Sequence, residues 1–184
     1  MMFDSGVADR VVELLPSGDI NGRDRERLTQ MEHDVDWGTP AGTEPLRFGD
    51  GDRWRVLVRD GGQIASTVQI LERSVMVGER PLTVAGIAGV MTAVDFRGRG
   101  HASAAMERAA TFLTTDRGMT FALLVCWPSR VSFYERLGWR VHHGETVCEQ
   151  PGGTRIIDLM RVMILDGDQC PLPDVRIDLR GLPW

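Results

Sequence analysis

The chain has 184 residues, of which 42% are hydrophobic and 26% charged, and this composition excludes wholesale disorder and predicts one globular domain. Its net charge of −5 argues against a nucleic-acid partner, and the lack of any lysine excludes Schiff-base and phosphate-loop lysine chemistry. No apolar run reaches the ~20 residues of a membrane span and no signal peptide is visible, so we expect a cytoplasmic protein without a membrane anchor. The three cysteines are widely spaced, which predicts neither a disulfide framework nor a metal site.

Hydrophobic patterns in the first half of the chain predict one helix among several strands. Arg10–Leu15 is a short strand-like run, and apolar residues spaced by three and four predict an amphipathic helix over residues 23–35. Turn residues then separate three antiparallel strands, which are predicted at Trp54–Arg59, Ile64–Val77 and Leu82–Val94. The third strand is almost uncharged, which predicts that both of its faces are buried.

The second half of the chain alternates between helical and strand-like patterns. Residues 101–115 are predicted to form a helix, Phe121–Cys126 a buried strand, and the segment from Pro128 to Gly138 a second helix. The remaining predictions are closing strands at Trp139–His142 and Arg155–Leu165 and a docked C-terminal tail over residues 166–184. This order predicts a single α/β domain over residues 1–184 with a mixed sheet flanked by helices.

The segment with the clearest chemistry is the turn Arg97-Gly98-Arg99-Gly100-His101-Ala102, which lies between a buried strand and a helix. Glycines allow the backbone to approach a bulky anion, the N–H groups of a helix N-terminus point at it, and arginines add charge-assisted donors. A pyrophosphate is the ligand that this combination favours. The turn lacks both the lysine of a phosphate loop and the third glycine of a Rossmann turn. A tight turn with solvated arginines is the alternative interpretation.

This turn matches the Arg/Gln-x-x-Gly-x-Gly/Ala motif of the GNAT superfamily of N-acetyltransferases, and Val90–Phe96 precedes it at the family's spacing. Downstream, Ser132–Trp139 matches the family's aromatic-Tyr-x-x-x-Gly-aromatic signature. The resemblance spans roughly residues 54–165 and implies a mixed, mostly antiparallel sheet of about six to seven strands, splayed where acetyl-CoA binds. It further implies that the turn holds the pyrophosphate of acetyl-CoA and that backbone groups of Val90, Met91 and Thr92 hold its pantetheine.

Tyr134 is the only tyrosine in the chain and lies within the second motif. In the superfamily the matching hydroxyl lies near the CoA sulfur, so the resemblance implies that Tyr134 is a general acid for the departing thiolate. A phenol with a pKa of about 10 is protonated at neutral pH and can fill that role. A tyrosine that only packs in the core is the alternative.

The general base is not evident from the sequence. Many members of the superfamily carry a glutamate on the strand before the pyrophosphate turn, whereas Ile87–Met91 contains no carboxylate. Other groups could accept the proton of the acceptor amine, and for each a solvated surface role is the alternative: Glu32, His33, Asp34, Asp36 and Asp158. An amine of lowered pKa could also bind already neutral. Cys126 is interpreted as a core residue rather than an acyl-relay thiol.

Within the superfamily the chain is most similar to aminoglycoside 2'-N-acetyltransferases, through Asp36-Trp37, Gly62–Ala65, Gly138-Trp139 and a short tail that ends in tryptophan. The likeness implies these acceptor-binding residues: Asp36, Ala88, Gly89, Val125, Asp158 and Trp184. The α-carboxylate of Trp184 would hold the cationic amine. The chain departs from those enzymes at Ala88, Val125-Cys126 and Leu182-Pro183, where they carry a glutamate, serines and an acidic residue.

The sequence therefore predicts acetyl transfer from acetyl-CoA to a primary amine of a small molecule, without a metal. An aminoglycoside-like antibiotic is the specific candidate, which would make the protein an antibiotic-resistance enzyme. Another amine, another acyl-CoA, or an acyl-CoA-binding protein without turnover are the alternatives. Because dimers are common in the superfamily, a homodimer is a further expectation.

Overall fold

The computed structural model describes residues 10–35, 44–49, 51, 53–167 and 171–184. These residues form one mixed sheet of ten strands with three α-helices. The strands are β1 (Arg10–Pro16), β2 (Trp54–Asp60), β3 (Gln63–Val77), β4 (Arg80–Thr92), β5 (Phe121–Cys126), β6 (Arg140–Val141), β7 (Thr146–Gln150), β8 (Gly153–Ile156), β9 (Arg161–Asp166) and β10 (Ile177–Asp178). The helices are α1 (Gly22–His33), α2 (His101–Thr111) and α3 (Val131–Glu135). Short 3-10 turns at Ser17–Asp19, Val94–Phe96 and Pro128–Arg130 and a π-helical turn at Phe112–Asp116 connect them.

Strand β3 organises the sheet because it is long enough to pair with three other strands. Along one edge it is antiparallel to β4, and along the other edge it pairs first with β2 and then with β10. The main path of the sheet runs β6-β9-β5-β4-β3-β10-β7-β8, and β1 adds to β2 outside that path. The last described segment of the chain therefore enters the sheet between β3 and the β7–β8 hairpin.

Strands β4 and β5 pair in parallel over a short distance and then separate. Their pairs run from Ala85–Ala122 to Ile87–Leu124, although β4 continues to Thr92 and β5 to Cys126. Two residues of β4, Gly89 and Val90, lie opposite one residue of β3, which is a β-bulge. Gly89 has φ +51°, and a Cβ there would collide with the Gln69 side chain. The bulge bends β4 at the point where the sheet opens, which is the splay that the GNAT resemblance implies.

Alternation along β5 divides the core between two faces of the sheet. Ala122, Leu124 and Cys126 join the cluster packed beneath α2 and α3, and we call this side the helix face. Phe121 and Leu123 join a cluster covered by residues 171–184, and we call this side the tail face. A smaller cluster lies under α1, where Leu28 and Met31 pack with Ile64 and Met91.

The structure corrects the predicted strand count and two of the predicted elements. The sheet has ten strands within the described residues rather than six to seven, in part because Thr146–Gln150 and Gly153–Ile156 form a hairpin that the sequence did not predict. The predicted strand Arg155–Leu165 is two strands, since β8 pairs with β7 at one end of the sheet and β9 pairs with β5 in another part. The predicted helix from Pro128 is a 3-10 turn followed by the five residues of α3.

The predicted burial of Leu82–Val94 is also only partly correct. Within β4, Val84–Ile87 and Met91 are buried, whereas residues 88–90 are half-buried because no strand pairs with them on the β5 side. Asp36, Trp37 and Cys170 lie outside the described residues. None of the helices among the described residues has the length and apolar character that crossing a membrane requires.

Candidate active site

The turn that leads into α2 presents unpaired backbone donors to open space. Gly98 and Gly100 have φ values of +75° and +78°, a conformation that glycine adopts without strain, and a Cβ at either position would meet no atom within 4 Å. Helix α2 begins at His101, and no side chain caps its N-terminus. The N–H groups of its first turn, which includes Ala102, lack intrahelical acceptors and carry the positive end of the helix dipole. We call this turn and the first turn of α2 the cradle, and its geometry suits a phosphate group.

Two arginines add positive charge at the cradle. Arg97 donates from Nε to the Thr92 carbonyl at 3.3 Å. Arg99 is largely exposed, stacks its guanidinium over the Phe96 ring at 5.3 Å and lies 3.8 Å from the Asp60 carboxylate. Both guanidinium groups are therefore fixed beside the cradle while donors remain to bind an anion.

His101 contributes its backbone rather than its ring to the cradle. The imidazole is 2% exposed, and its Nε2 lies 3.0 Å from Asp60 Oδ2. Asp60, the last residue of β2, thus contacts both His101 and Arg99. No local sequence signal marks this role, because Asp60 ends β2 some forty residues before α2.

The strand segment that was predicted to hold pantetheine has a free edge. Ser66 donates its hydroxyl to the Met91 carbonyl at 2.7 Å and lies 3.0 Å from the Thr92 hydroxyl, so β3 secures this end of β4. On the opposite edge, no strand of the described residues pairs with β4 beyond Ile87. Those backbone groups of residues 88–92 that face this edge are available to an extended, amide-containing chain.

Tyr134 lies in α3, just before the turn that leads into β6. Its ring is 8% exposed and packs edge-on against Phe133 at 5.0 Å and Trp139 at 6.4 Å. Gly138, at φ +86°, reverses the chain so that the Trp139 N–H donates to the Tyr134 carbonyl at 3.1 Å. Burial raises the pKa of Tyr134, the neighbouring Cys126 thiol adds to the rise and Arg130 opposes it. The hydroxyl is therefore a proton donor, not a phenolate, at neutral pH.

Cys126 lies on the same helix face as Tyr134. Burial raises the pKa of this thiol to about 11, so the reactive thiolate is scarce at neutral pH. The environment agrees with the interpretation of Cys126 as a core residue.

Three of the residues predicted to bind the acceptor lie in one apolar cluster on the tail face. Ala88 and Val125 follow the last β4–β5 pair and pack against the cluster that contains Trp184. The indole of Trp184 is 4% exposed and donates from Nε1 to the Leu123 carbonyl at 3.2 Å. It lies flat on Gly86, where a Cβ would come within 2.5 Å of the ring.

The other face of the indole is covered by a cation that sequence reasoning missed. Arg73 stacks on the Trp184 ring at 5.0 Å and donates to the Leu182 carbonyl, while the Gly49 N–H donates to the Pro183 carbonyl at 2.7 Å. The indole is thus enclosed between Gly86 and Arg73. Neither residue has a motif around it, and only the register of β3 and β4 brings them together.

The remaining predicted acceptor residues are more scattered. Gly89 forms the bulge, and Asp158 is exposed in the loop between β8 and β9, where its carbonyl accepts from Arg161 at 3.1 Å. Glu32, His33 and Asp34 are exposed at the end of α1. Among the described residues, no group of three or more His, Cys, Asp or Glu side chains is arranged to hold a metal ion.

Comparison with known families gives one match. A sequence model described as Acetyltransferase (GNAT) domain matches residues 47–142, just over half of the chain. The match includes the bulge, the splay, the cradle and Tyr134. No curated protein matches the sequence.

Solved structures share the fold at low sequence identity. ElaA from Escherichia coli is 16% identical, with a TM-score of 0.61 over 85% of this chain and 99% of ElaA. An acyl-CoA N-acyltransferase from Pseudomonas aeruginosa is 16% identical, with a TM-score of 0.59 over 84% of this chain and 98% of that protein. NAA60 from Arabidopsis thaliana, solved with a bisubstrate analogue, is 15% identical, with a TM-score of 0.58 over 87% of this chain and 100% of that protein. At these identities the likeness establishes the fold alone.

Proposed function

The chain belongs to the GNAT acetyltransferase family, and from that premise we propose that it acetylates the primary amine of a small molecule with acetyl-CoA as donor and Tyr134 as general acid. The observation that carries the proposal is the uncapped, arginine-flanked N-terminus of α2, which lies beside a strand whose outer edge is free. A pyrophosphate followed by an amide-containing pantetheine matches those two features in that order.

Acetyl-CoA, when bound, supplies a thioester whose carbonyl carbon the acceptor amine attacks and whose sulfur leaves as a thiolate. Within that reaction the cradle binds the pyrophosphate, and the free edge of β4 orients the pantetheine toward the splay. Tyr134 holds a proton at its hydroxyl and delivers it to the sulfur as the carbon–sulfur bond breaks. Burial of the ring keeps the hydroxyl protonated.

The apolar surroundings on the tail face can explain how the acceptor amine loses its proton. Ala88 occupies the strand position where the family often has a glutamate, and Val125 and Trp184 pack in the same apolar cluster. Desolvation in such surroundings lowers the pKa of an amine, so the acceptor binds in its neutral, nucleophilic form or passes its proton to water.

The proposal also concerns the chemical class of the acceptor. Asp36, Asp158 and Trp184 are the residues that an aminoglycoside would require, by resemblance to aminoglycoside 2'-N-acetyltransferases. A polycation needs several carboxylates around it. Of the acidic pair, Asp158 is exposed in a loop, so a small amine of lower charge is the acceptor class that we favour.

Release of free thiol from acetyl-CoA in the presence of a panel of amines, aminoglycosides included, tests the proposal. We expect release that depends on an amine. Binding of acetyl-CoA without thiol release by any amine would instead support a protein that binds acyl-CoA without turnover, the candidate favoured by the missing glutamate at Ala88. A lack of acetyl-CoA binding would contradict both.

A further inference from the structure

A cavity that shares no lining residue with the cradle lies on the tail face. Its volume is about 260 Å³, and the side chains that matter below are His142, Thr146, Ile157, Met160, Arg161 and Val162. They come from the end of β6, from β7, from the loop before β9 and from β9 itself. The cavity has the size of one ring or one short functional group rather than of a whole cosubstrate.

The register of the sheet connects this cavity to the splay. Val125 pairs with Val162 of β9, and the Val162 carbonyl accepts the His142 N–H at 2.9 Å. Val125, Val162 and His142 thus form a row across adjacent strands, and Val125, like Ala88, directly follows the last β4–β5 pair. Because strands are spaced by roughly 4.8 Å, the cavity lies about 10 Å from the edge of the splay at Val125. An acceptor whose amine reaches the splay would place in the cavity a group about 10 Å from its nitrogen.

One buried polar side chain that lines the cavity lacks a partner. Thr146 is 3% exposed, and its hydroxyl has no hydrogen-bond partner among the described residues. The neighbouring His142 side chain is fully buried, and its Nδ1 lies 3.0 Å from Asp174 Oδ1. Leaving a buried hydroxyl unpaired is unfavourable, and a ligand with a matching polar group would remove that penalty.

The charge at the rim of the cavity is positive. Arg161 is exposed, and its Nη1 donates to the carbonyls of Asp158 and Met160 at 3.1 and 3.0 Å, which fixes the guanidinium there. The described residues that line the cavity include no Asp or Glu. Asp174, behind His142, is already engaged by the His143 N–H at 3.0 Å and by Arg140 at 3.5 Å. This environment favours an anion and disfavours a second ammonium group.

We propose that this cavity is a specificity subsite for the acceptor and that it takes a carboxylate carried about 10 Å from the acceptor amine. The acceptor class is then a small amine with a distal carboxylate, whose oxygens accept from the Thr146 hydroxyl and from Arg161. Ile157, Met160 and Val162 supply the apolar walls for the part of the molecule between the two ends. This inference rests on the proposed function, and it makes a polycationic aminoglycoside a poor acceptor.

Matched linear amines provide the test, because an extended chain advances roughly 1.2 Å per bond. 8-Aminooctanoate spans the required distance, octylamine lacks the carboxylate, and 1,8-diaminooctane replaces it with an ammonium group. We expect kcat/KM for thiol release to be at least about tenfold higher for the amino acid than for the diamine, and 4-aminobutanoate to lose most of that advantage. Equal kcat/KM values for the three octyl compounds would overturn the proposal.

Two variants separate recognition from folding. Thr146→Val removes an unsatisfied hydroxyl at nearly constant volume, so we expect unchanged or higher thermal stability together with a raised KM for 8-aminooctanoate. Arg161→Gln should abolish the preference for the amino acid over the diamine. Arg155→Gln, at an exposed arginine that pairs with Glu44 at 3.2 Å, is the matched control. A preference that survives in both Thr146→Val and Arg161→Gln would also overturn the proposal.

Failure of the proposed function has a different signature. If no amine releases thiol, acetyl transfer is not the activity, and calorimetry of 8-aminooctanoate with the wild type and with Thr146→Val then decides the subsite by binding alone. Equal or absent binding in the two proteins would overturn it, and weaker binding by the variant would support it.

Discussion

The two sides of the β4–β5 opening, to which we assign the cosubstrate and the acceptor in the proposed function, are built in different ways. The cradle and the free edge of β4 come from one continuous stretch, residues 88–102, and their geometry depends on local backbone conformation at Gly89, Gly98 and Gly100. The tail face depends on contacts between distant residues: Trp184 and Leu123 are 61 positions apart, and Arg73 and Leu182 are 109 apart. Substitutions on the two sides should therefore alter different steps, one the binding of acetyl-CoA and the other the use of the acceptor.

Tyr134 is the proposed proton donor, and its loss should have the largest effect. In Tyr134→Phe we expect kcat to fall by roughly 10²–10⁴, because a positioned proton donor contributes about that much, while acetyl-CoA affinity stays unchanged. Steady-state kinetics and calorimetry measure the two quantities. Phe133→Leu removes a neighbouring ring contact without removing a proton donor and serves as the control. Wild-type turnover in Tyr134→Phe would leave the tyrosine with a packing role only.

A change in the cradle should separate binding from chemistry. Gly100→Glu places a negative side chain in the open space that the anion would occupy, at a φ of +78° that disfavours other residues. We expect the Kd for acetyl-CoA to rise by about 100-fold or more, as measured by calorimetry. Gly152→Glu adds the same charge in the β7–β8 turn, where a Cβ also meets no atom, and should bind normally. Unchanged affinity in Gly100→Glu would remove the cradle from the site.

A change on the tail face should weaken the use of the acceptor and leave the binding of acetyl-CoA unchanged. In Gly86→Ala the new methyl group would overlap the indole of Trp184, which must then move. We expect a KM for the acceptor raised about tenfold, an acetyl-CoA Kd within about twofold of wild type, and an unfolding free energy lower by about 1–3 kcal/mol from the overpacking. Gly152→Ala is the matched control. A loss of acetyl-CoA affinity comparable to the loss for the acceptor would contradict the separation of the two sides.

The smallest predicted effect is a pH dependence of stability on the tail face. Burial lowers the pKa of His142, while Asp174 opposes the shift and Arg140 adds to it. Because the unfolded chain binds a proton that the folded chain resists, the unfolding free energy falls as the pH drops below about 6.5, by at most ~1.4 kcal/mol per pH unit for one group. Denaturant titrations between pH 5 and 7 should give a smaller slope for His142→Asn than for the wild type. Equal slopes would show that His142 does not cause the dependence.

The sequence predicted best those features that are encoded locally. Phe121–Cys126 forms a strand with the predicted bounds, α2 begins at the predicted residue, and the GNAT resemblance correctly implied the splay and the family. The β7–β8 hairpin was not predicted, because the Pro- and Gly-rich residues of its turn are equally typical of a linker. Glycine 86 carries no motif, and its importance depends on an indole 98 positions away that packs on it.

The cavity on the tail face illustrates why the residues of the proposed acceptor site could not be predicted. His142, Thr146 and Arg161 come from separate segments of the chain, and each alone is an ordinary polar residue. The pairing of β9 with β5 and the hydrogen bond from His142 to Val162 bring His142 and Arg161 close to the end of β5. Long-range register of this kind is not encoded in any short segment.

The short strand β10 links the β7–β8 hairpin to the rest of the sheet, and this has a consequence for the opening motions of the native protein. Only two residues of β10 pair with β3, at Val77 and Met76, whereas β3 and β4 pair over most of their length. Amide hydrogen exchange should therefore detect a subglobal opening in which β7, β8 and β10 leave together, at a lower free energy than global unfolding. Amides of Val147 and Leu179 would exchange through that opening while those of β3, β4 and β5 stay protected. Substitutions in the hairpin would then alter one edge of the sheet with little cost to the pairing of β3, β4 and β5.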